Sequence, residues 1–355
     1  MSIRRIVLMS IPFLLLHVLY GCSSIMYYSQ SIRGQLEIMH ERKAIDTLLA
    51  AQNLPPATLA QLAAVKQIRN FAGSELGLPA HNSYRDYVDT KRDFVAWNVF
   101  ATPELSLEGR QWCFLFIGCL NYRGYFSRDR AYRFAAELES RGYDVFIGGV
   151  AAYSTLGWFA DPVLNTMLRR DRVYLARVIF HELAHQKLYI KDDTEFNESF
   201  ADTVSDAGVR KWLGVYGAAE EQQSYATARL HEDIFVNLVL RYRARLEAEY
   251  KSTLPDTEKH RQKHVLLDEM KTEYGRLRAN WNDDDTYDTW FAEGLNNAKL
   301  MAVNTYRAYM PGFNKLLSAS AGNLIVFYGL VEQLRDCTKE QRRDILLSGQ
   351  TAFAC

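Results

Sequence analysis

The segment from Arg177 to Leu188 most constrains the fold of this 355-residue chain, because it carries two histidines four positions apart in a helical pattern of apolar residues. Residues four apart lie one above the other on a helix, so the imidazoles of His181 and His185 can bind one metal ion. Glu182 points to one side of this pair, where it can hold a metal-bound water without being a ligand. The segment predicts a buried helix that lines a cleft. The alternative is a structural helix whose histidines are satisfied by the backbone or by Glu182.

A third ligand is expected downstream, because catalytic zinc sites take three protein ligands and leave one position open. Glu198 lies thirteen positions after His185, which leaves room for a turn and the start of an antiparallel helix. Asp202 follows on the same face and can accept the outward N–H of a ligating histidine, which fixes its tautomer. The spacing therefore predicts a metal site made by two neighbouring helices.

Residues 181–185 (His-Glu-x-x-His) and 197–202 (Asn-Glu-x-x-Ala-Asp) together resemble the gluzincin arrangement of thermolysin-like and aminopeptidase-like metallopeptidases. The closer resemblance is to a bacterial family of predicted zinc aminopeptidases, which are lipoproteins. Segments 122–126, 152–159 and 295–298 share its sequence pattern. The resemblance implies one Zn²⁺ per chain as the cofactor, peptides as substrates, and hydrolysis of peptide bonds.

The resemblance also implies roles for single residues. The zinc ligands are His181, His185 and Glu198. The general base is Glu182, and Asp202 and Asn197 support the ligands. The segment between His185 and Glu198 is shorter than in thermolysin, which leaves Glu195 as a competing third ligand. Glu198 is preferred because only it is followed by an aspartate four residues later.

The implied chemistry is that of a zinc peptidase, in which the metal activates a water and polarises the scissile carbonyl. Glu182 takes the proton of the water and later delivers it to the leaving amine. Tyr306 is the first candidate for stabilising the oxyanion, and Tyr189 is the second.

Exopeptidase and endopeptidase action stay open, because they differ in whether acidic groups close the cleft around a free amine. Asp161, Asp192 and Asp193 are candidates for such groups.

A second hypothesis, from a different class, is a lipid-anchored envelope scaffold that binds peptides and has a structural zinc site. Glu182 disfavours the scaffold, because a structural site does not need a general base.

Two segments are candidates for binding the substrate. Arg123 and Tyr125 lie in an aromatic and cationic loop. Arg123 is expected to contact a substrate carboxylate or carbonyl, and Tyr122 and Tyr125 are expected to shape the cleft. Tyr153 and Gly157 lie in an extended segment upstream of the zinc helix, where the substrate backbone is expected to pair with a sheet edge. The alternatives are a solvated turn and an ordinary edge strand.

The expected fold is α+β, with a gluzincin-like metallopeptidase core, a small mixed sheet and largely helical surroundings. β-forming residues predict strands at 94–100, 112–117 and 144–150, and residues 218–282 predict a long helical hairpin. The chain is expected to divide into four regions. A lipoprotein signal peptide covers 1–21 and an N-terminal helical region covers 22–90. A catalytic zinc-peptidase core covers 91–215, and a C-terminal helical region that completes the cleft covers 216–355.

The first residues resemble a bacterial lipoprotein leader. Two arginines precede an apolar run at residues 6–18, which is too short to span a membrane. Cys22 follows a glycine at the end of this stretch, as in a lipobox, so cleavage and diacylation would anchor the protein to a membrane. Ser23 favours an outer-membrane location facing the periplasm of the bacterial cell envelope. The alternative is an ordinary signal peptide in which Cys22 is incidental.

Charge and cysteine content bear on the partners. Lysine plus arginine and aspartate plus glutamate both number 42, so no basic excess exists to neutralise nucleic-acid phosphates. A peptide substrate and, through Cys22, a membrane are the expected partners. The remaining cysteines allow three disulfide pairings, which the sequence leaves open: Cys113, Cys119, Cys337 and Cys355.

Overall fold

The computed structural model describes residues 27–114, 118–282, 284–353 and 355 of the chain. The predicted signal peptide and Cys22 lie outside the described residues, as do residues 115–117 of the strand predicted at 112–117. The described chain is mostly helical and contains small sheets, so the expected α+β class is confirmed.

The helices begin with α1, which covers residues 27–40. The others follow in chain order: α2 (Ile45–Ala51), α3 (Pro56–Ser74), α4 (Arg128–Glu139), α5 (Arg172–Lys187), α6 (Thr194–Tyr216), α7 (Ala219–Lys251), α8 (Asp256–Arg278), α9 (Asp288–Ala292), α10 (Asn297–Arg307), α11 (Met310–Ala319), α12 (Leu324–Gln333) and α13 (Lys339–Ser348). Helix α5 is the helix predicted from the histidine motif, and α7 with α8 is the predicted long hairpin.

The strands are short and form three sheets within the described ranges. Their bounds are β1 (Lys43–Ala44), β2 (Asp86–Val88), β3 (Ala96–Pro103), β4 (Trp112–Phe114), β5 (Gly118–Leu120), β6 (Arg123–Tyr125), β7 (Tyr143–Val150) and β8 (Val163–Leu164). The antiparallel sheet beside the site has the order β6–β3–β7, and Asn98 on the central strand pairs with Gly124 and Gly148. The sheet β1–β2–β8 contains a parallel pair, and β4 and β5 form a hairpin.

The segment after β7 differs from the prediction, because residues 152–155 have no strand partner. Asp161 accepts hydrogen bonds from the backbone N–H of Thr155 at 3.0 Å and from its hydroxyl at 2.7 Å. These bonds draw the chain into a turn at Leu156 and Gly157, which have φ values of 55° and 82°. The predicted sheet edge therefore ends at Val150.

The largest apolar core joins residues from all three predicted regions of the mature chain. Phe180 of α5 and Phe200 of α6 are fully buried, and they lie with Ile68 of α3 and Phe313 of α11 in one cluster. Each such side chain contributes about 1.5–3 kcal/mol by leaving water. A second cluster lies between α7 and α8 and includes Met270.

Two disulfides link cysteines that are close together in the sequence. Cys113 is paired with Cys119, and Cys337 is paired with Cys355.

Within the described ranges, no helix combines the length and the apolar character that crossing a membrane requires.

Candidate metal centre and its cleft

Helices α5 and α6 lie against each other and carry the predicted ligands. The connection between them is fixed by Asn197, whose amide donates to the carbonyl of Ile190 at 2.7 Å and accepts from its N–H at 2.8 Å. This closed loop brings Glu198 of α6 opposite His181 and His185 of α5. Asn197 thus differs from its predicted role, because it orders the loop and makes no hydrogen bond to a ligand within the described residues.

The three predicted ligands converge. The Nε2 atoms of His181 and His185 lie 3.2 Å apart, and Oε2 of Glu198 lies 3.3 Å from the first and 3.6 Å from the second. A tetrahedral ion with bonds of about 2.0–2.1 Å separates its ligand atoms by about 3.3–3.4 Å. The group could therefore hold a metal ion with little rearrangement, and all three side chains line one cleft.

The charges around the ligands favour a cation. Burial lowers the pKa of His181, but hydrogen bonds to Asp202, at 3.2 Å from Nδ1, and to Glu198 prevail and raise this pKa to about 10. Burial raises the pKa of Glu198, but the nearby His185 and His181 prevail and lower it to about 2. An environment that stabilises a positive charge on an imidazole also stabilises a bound metal ion.

Glu182 has the properties of a proton carrier. It is buried, lines the cleft, and makes no hydrogen bond within the part of the chain that the structure describes. Burial raises its pKa, although His181 and His185 oppose this effect. A carboxylate with a raised pKa and no structural hydrogen bond is suited to accept and return a proton.

Three tyrosines line the cleft near Glu198. They are Tyr306 of α10, Tyr189 after α5, and Tyr122 before β6. Burial is the main cause that raises the pKa of each tyrosine, and the charge of Glu198 is the second. The pKa of Tyr189 is raised to about 12. All three stay protonated at neutral pH and can donate a hydrogen bond to a developing oxyanion. Sequence reasoning had assigned Tyr122 only to shaping the cleft.

Strand β6 turns two of the predicted substrate residues away from the cleft. Side chains alternate along a strand, and Tyr122, Gly124 and Phe126 line the cleft. Arg123 and Tyr125 lie on the opposite face, where Tyr125 is 7% exposed and the Arg123 guanidinium lies over neighbouring aromatic rings. This placement does not agree with the predicted substrate contact of Arg123 or with the predicted role of Tyr125 in shaping the cleft.

The segment after β7 keeps one of its predicted residues in the cleft. Tyr153 lines the cleft, and its hydroxyl donates a hydrogen bond to Gln35 of α1. Gly157 lies in the following turn, where a Cβ would meet no atom closer than Gln186 at 4.0 Å. Its φ of +82° lies in the left-handed region that favours glycine.

Other acidic side chains near the ligands are bonded elsewhere. Glu195, the competing ligand, accepts a hydrogen bond from Asn121 at 2.6 Å and is not part of the convergent group. The three aspartates that the sequence left unplaced also have partners. Asp161 accepts hydrogen bonds from Thr155 and Gln186. Asp192 accepts one from the N–H of Cys119, and Asp193 accepts one from Arg342. Among the described residues that line the cleft, the carboxylates are Glu182 and Glu198.

A buried ion-pair network lies behind the ligands. Asp202, which contacts His181, also lies 3.4 Å from Arg307 Nε and 3.7 Å from Arg177 Nη2. Both arginines pair with Glu232 of α7 as well. Sequence reasoning missed this network. Its one local signal is that Arg177 lies four residues before His181 on the same helix face, whereas Arg307 and Glu232 are distant in sequence.

Comparisons with known proteins place the chain in a family. No curated protein and no solved structure matches it. A family described as "Putative aminopeptidase" matches residues 26–346. The match includes α5, α6 and α10, and hence the ligands, Glu182 and Tyr306. Because it covers most of the sequence, the chain belongs to this family.

Proposed function

We propose that the protein is a zinc-dependent peptidase with a gluzincin-type core, acting as an aminopeptidase. The observation that carries this proposal is that a convergent His-His-Glu group and the unbonded carboxylate of Glu182 line one cleft. Two imidazoles and one carboxylate, with one position left open, are a ligand set of zinc hydrolases. Family membership supports the same activity.

The residues of the cleft divide the chemistry. When bound, zinc supplies Lewis-acid chemistry that activates water and polarises a carbonyl. Glu182 accepts the proton of the attacking water and delivers it to the nitrogen of the leaving amine. Asp202 holds the ring of His181 through Nδ1. Tyr306 donates its O–H to the carbonyl oxygen as negative charge develops there.

The test compares the purified parent protein with Glu182→Gln, using aminoacyl fluorogenic amides and internally quenched peptides. We expect about one zinc in both proteins, and turnover at least about 10²-fold lower in the variant, which lacks the base. Glu195→Gln is the matched control, because it makes the same change at a nearby carboxylate outside the convergent group; it should keep its activity.

Both substrate types are needed, because a free amine would find no third carboxylate among the described residues of the cleft. Preference for the amides supports exopeptidase action, and preference for the quenched peptides supports endopeptidase action. Equal inactivity of parent and Glu182→Gln with zinc bound would favour the envelope scaffold. A parent protein that binds no zinc would contradict the proposal.

We also propose that Cys22 carries a lipid anchor that holds the protein on the outer membrane, facing the periplasm. Cys22 itself lies outside the described residues, and α1 covers residues 27–40, shortly after it in the sequence. Its Ile32 and Leu36 are 59% and 62% exposed on one helix face, which suits a location beside a membrane. Cys22→Ser should move the protein from the membrane fraction to the soluble fraction; an unchanged distribution would contradict the anchor.

A further inference from the structure

A second pocket adjoins the metal cleft. It has a volume of about 320 Å³ and lies between the β3–β7 face of the sheet and helices α7 and α10. Asn98, Val150 and Tyr306 line both the pocket and the cleft. These shared residues make the two spaces neighbours, and a ligand in the cleft would pass Tyr306 to reach the second space, which we call the aromatic pocket.

The walls of the aromatic pocket are rings. Phe146 of β7, Phe235 of α7, and Tyr287 and Trp290 at α9 contribute most of them. Gly148 places no side chain on the sheet side of the pocket, and a Cβ there would lie in ordinary contact with the Phe146 ring at 3.5 Å. Such a space accepts a large apolar or aromatic group, and its volume is at the lower end of ligand pockets, which span about 300–1,000 Å³.

The charges around the aromatic pocket are already paired. Glu232 and Arg307, at its polar end, form an ion pair with each other. The ammonium group of Lys299 lies 5.6 Å from the Phe146 ring centroid and 5.2 Å from that of Trp290. A second cation at these rings would be repelled by Lys299, and an anion would compete with Glu232. The pocket thus favours an uncharged side chain.

Asn98 is the polar group between the two spaces. It lies on the central strand, its side chain is 8% exposed, and its amide group makes no hydrogen bond within the described residues. A polar side chain at a pocket wall that has no partner in the protein can bond to a ligand there. A peptide backbone offers one N–H and one C=O, which complement the acceptor and the donor of an asparagine side chain.

We propose that the aromatic pocket binds one bulky uncharged side chain of the peptide, and that Asn98 binds the peptide backbone beside it. This inference rests on the proposed peptidase function and adds its substrate class. Peptides with phenylalanine, leucine or tryptophan at this position are the preferred ligands. Peptides with alanine, lysine or glutamate there bind more weakly.

The test measures binding, so that it is independent of turnover. Phenylalanine hydroxamate and alanine hydroxamate are titrated into the zinc-loaded full-length protein. We expect the phenylalanine probe to bind at least about 10-fold more tightly, because a hydrophobic pocket discriminates by this factor or more. If the protein binds no zinc, the same ratio is measured with N-acetylphenylalaninamide and N-acetylalaninamide, which need no metal.

Two variants fill the pocket from opposite walls. Val303→Phe on α10 and Gly148→Leu on β7 should each bring the affinity ratio close to one. Val215→Phe is the control, because it makes the same valine-to-phenylalanine substitution at a position that is 63% exposed. It should keep the affinity ratio of the parent. A parent ratio near one, or a ratio that neither filling variant lowers, would overturn the assignment of the pocket.

Asn98 is tested with the same probes. Asn98→Ala should weaken both by a similar factor of about 5- to 10-fold, because one pair of hydrogen bonds is lost whatever the side chain. Asn98→Asp keeps the shape of the side chain but loses its N–H donor, and it should weaken both probes as well. Unchanged affinity in both variants would remove Asn98 from the proposal.

Discussion

Asp202 links the proposed metal centre to the interior of the protein. One carboxylate contacts the outward nitrogen of His181 and the guanidinium groups of Arg307 and Arg177. Removing one partner of a buried ion pair leaves an uncompensated charge. Asp202 is therefore both a support for a ligand and a part of the charge balance of the core.

Asp202→Asn should weaken zinc binding about 10- to 100-fold, because His181 loses the carboxylate that orients it. Competition with a chelator measures this affinity. Asp206→Asn is the control: Asp206 pairs with Arg229 at 2.9 Å in the same network but does not contact a ligand. Both variants should lose about 3–5 kcal/mol in free energy of unfolding, and equal zinc affinities would contradict the role of Asp202.

Asp161 should make the stability of the protein depend on pH. Burial raises its pKa above the ordinary 3.8, although hydrogen bonds from Thr155 oppose the shift. An acid with a higher pKa in the folded chain binds more protons there, so stability falls as pH rises from its unfolded to its folded pKa. The free energy of unfolding of Asp161→Asn, relative to the parent, should therefore increase as the pH rises above 3.8.

The control has the opposite sign. Asp46 is exposed, and its hydrogen bond and ion pair with Lys66 lower its pKa. Its contribution to stability is present above pH 3.8 and is lost as the pH falls. Asp46→Asn should therefore become less stable relative to the parent as the pH rises. Urea unfolding at several pH values measures both trends, and parallel trends would contradict the assignment.

At the scale of elements, the sequence predicted what local periodicity determines. Helix α5 and the hairpin of α7 and α8 follow from helical sequence patterns, and the strands β3 and β7 follow from their β-forming residues. The face of β6 does not, because a strand of three residues acquires its orientation from pairing with β3. Arg123 was chosen for its chemistry, and that pairing turns it away from the cleft.

The position of α10 is a second feature that the sequence could not give, because it depends on contacts with distant segments. Asn297 is fully buried, and its amide donates to the carbonyls of Glu104 at 3.0 Å and Ser106 at 3.1 Å. It also accepts a hydrogen bond from Tyr250 at 2.9 Å. These bonds attach the first turn of α10 to the end of β3 and thereby place Tyr306 in the cleft.

Asn297→Ala should lower the free energy of unfolding by about 2–4 kcal/mol, because it leaves buried carbonyls and a hydroxyl unpaired. Asn323→Ala is the comparison: Asn323 caps α12 at an exposed end, so its loss should cost about 1 kcal/mol. Urea unfolding measures both values. Equal losses would indicate that Asn297 acts only as a residue of a helix terminus.

At the scale of the whole molecule, the metal centre and the long hairpin belong to different apolar clusters. Helices α5 and α6 lie in the large core, whereas α7 and α8 enclose their own. The polar link between them includes Glu232, which pairs with Arg177 and Arg307. Segments with separate cores can open separately, with different free energies.

Removal of zinc should therefore loosen one part of the molecule more than another. A metal that binds only the folded state stabilises it by an amount that grows with the logarithm of the free metal concentration divided by Kd, and here the proposed ligands join α5 to α6. After chelation, hydrogen exchange should accelerate over residues 180–200 and stay nearly unchanged over residues 235–275. Glu198→Gln, which lacks one ligand, should exchange rapidly at residues 180–200 with or without the chelator. Faster exchange across both ranges in the parent would mean that the two clusters unfold as one cooperative unit.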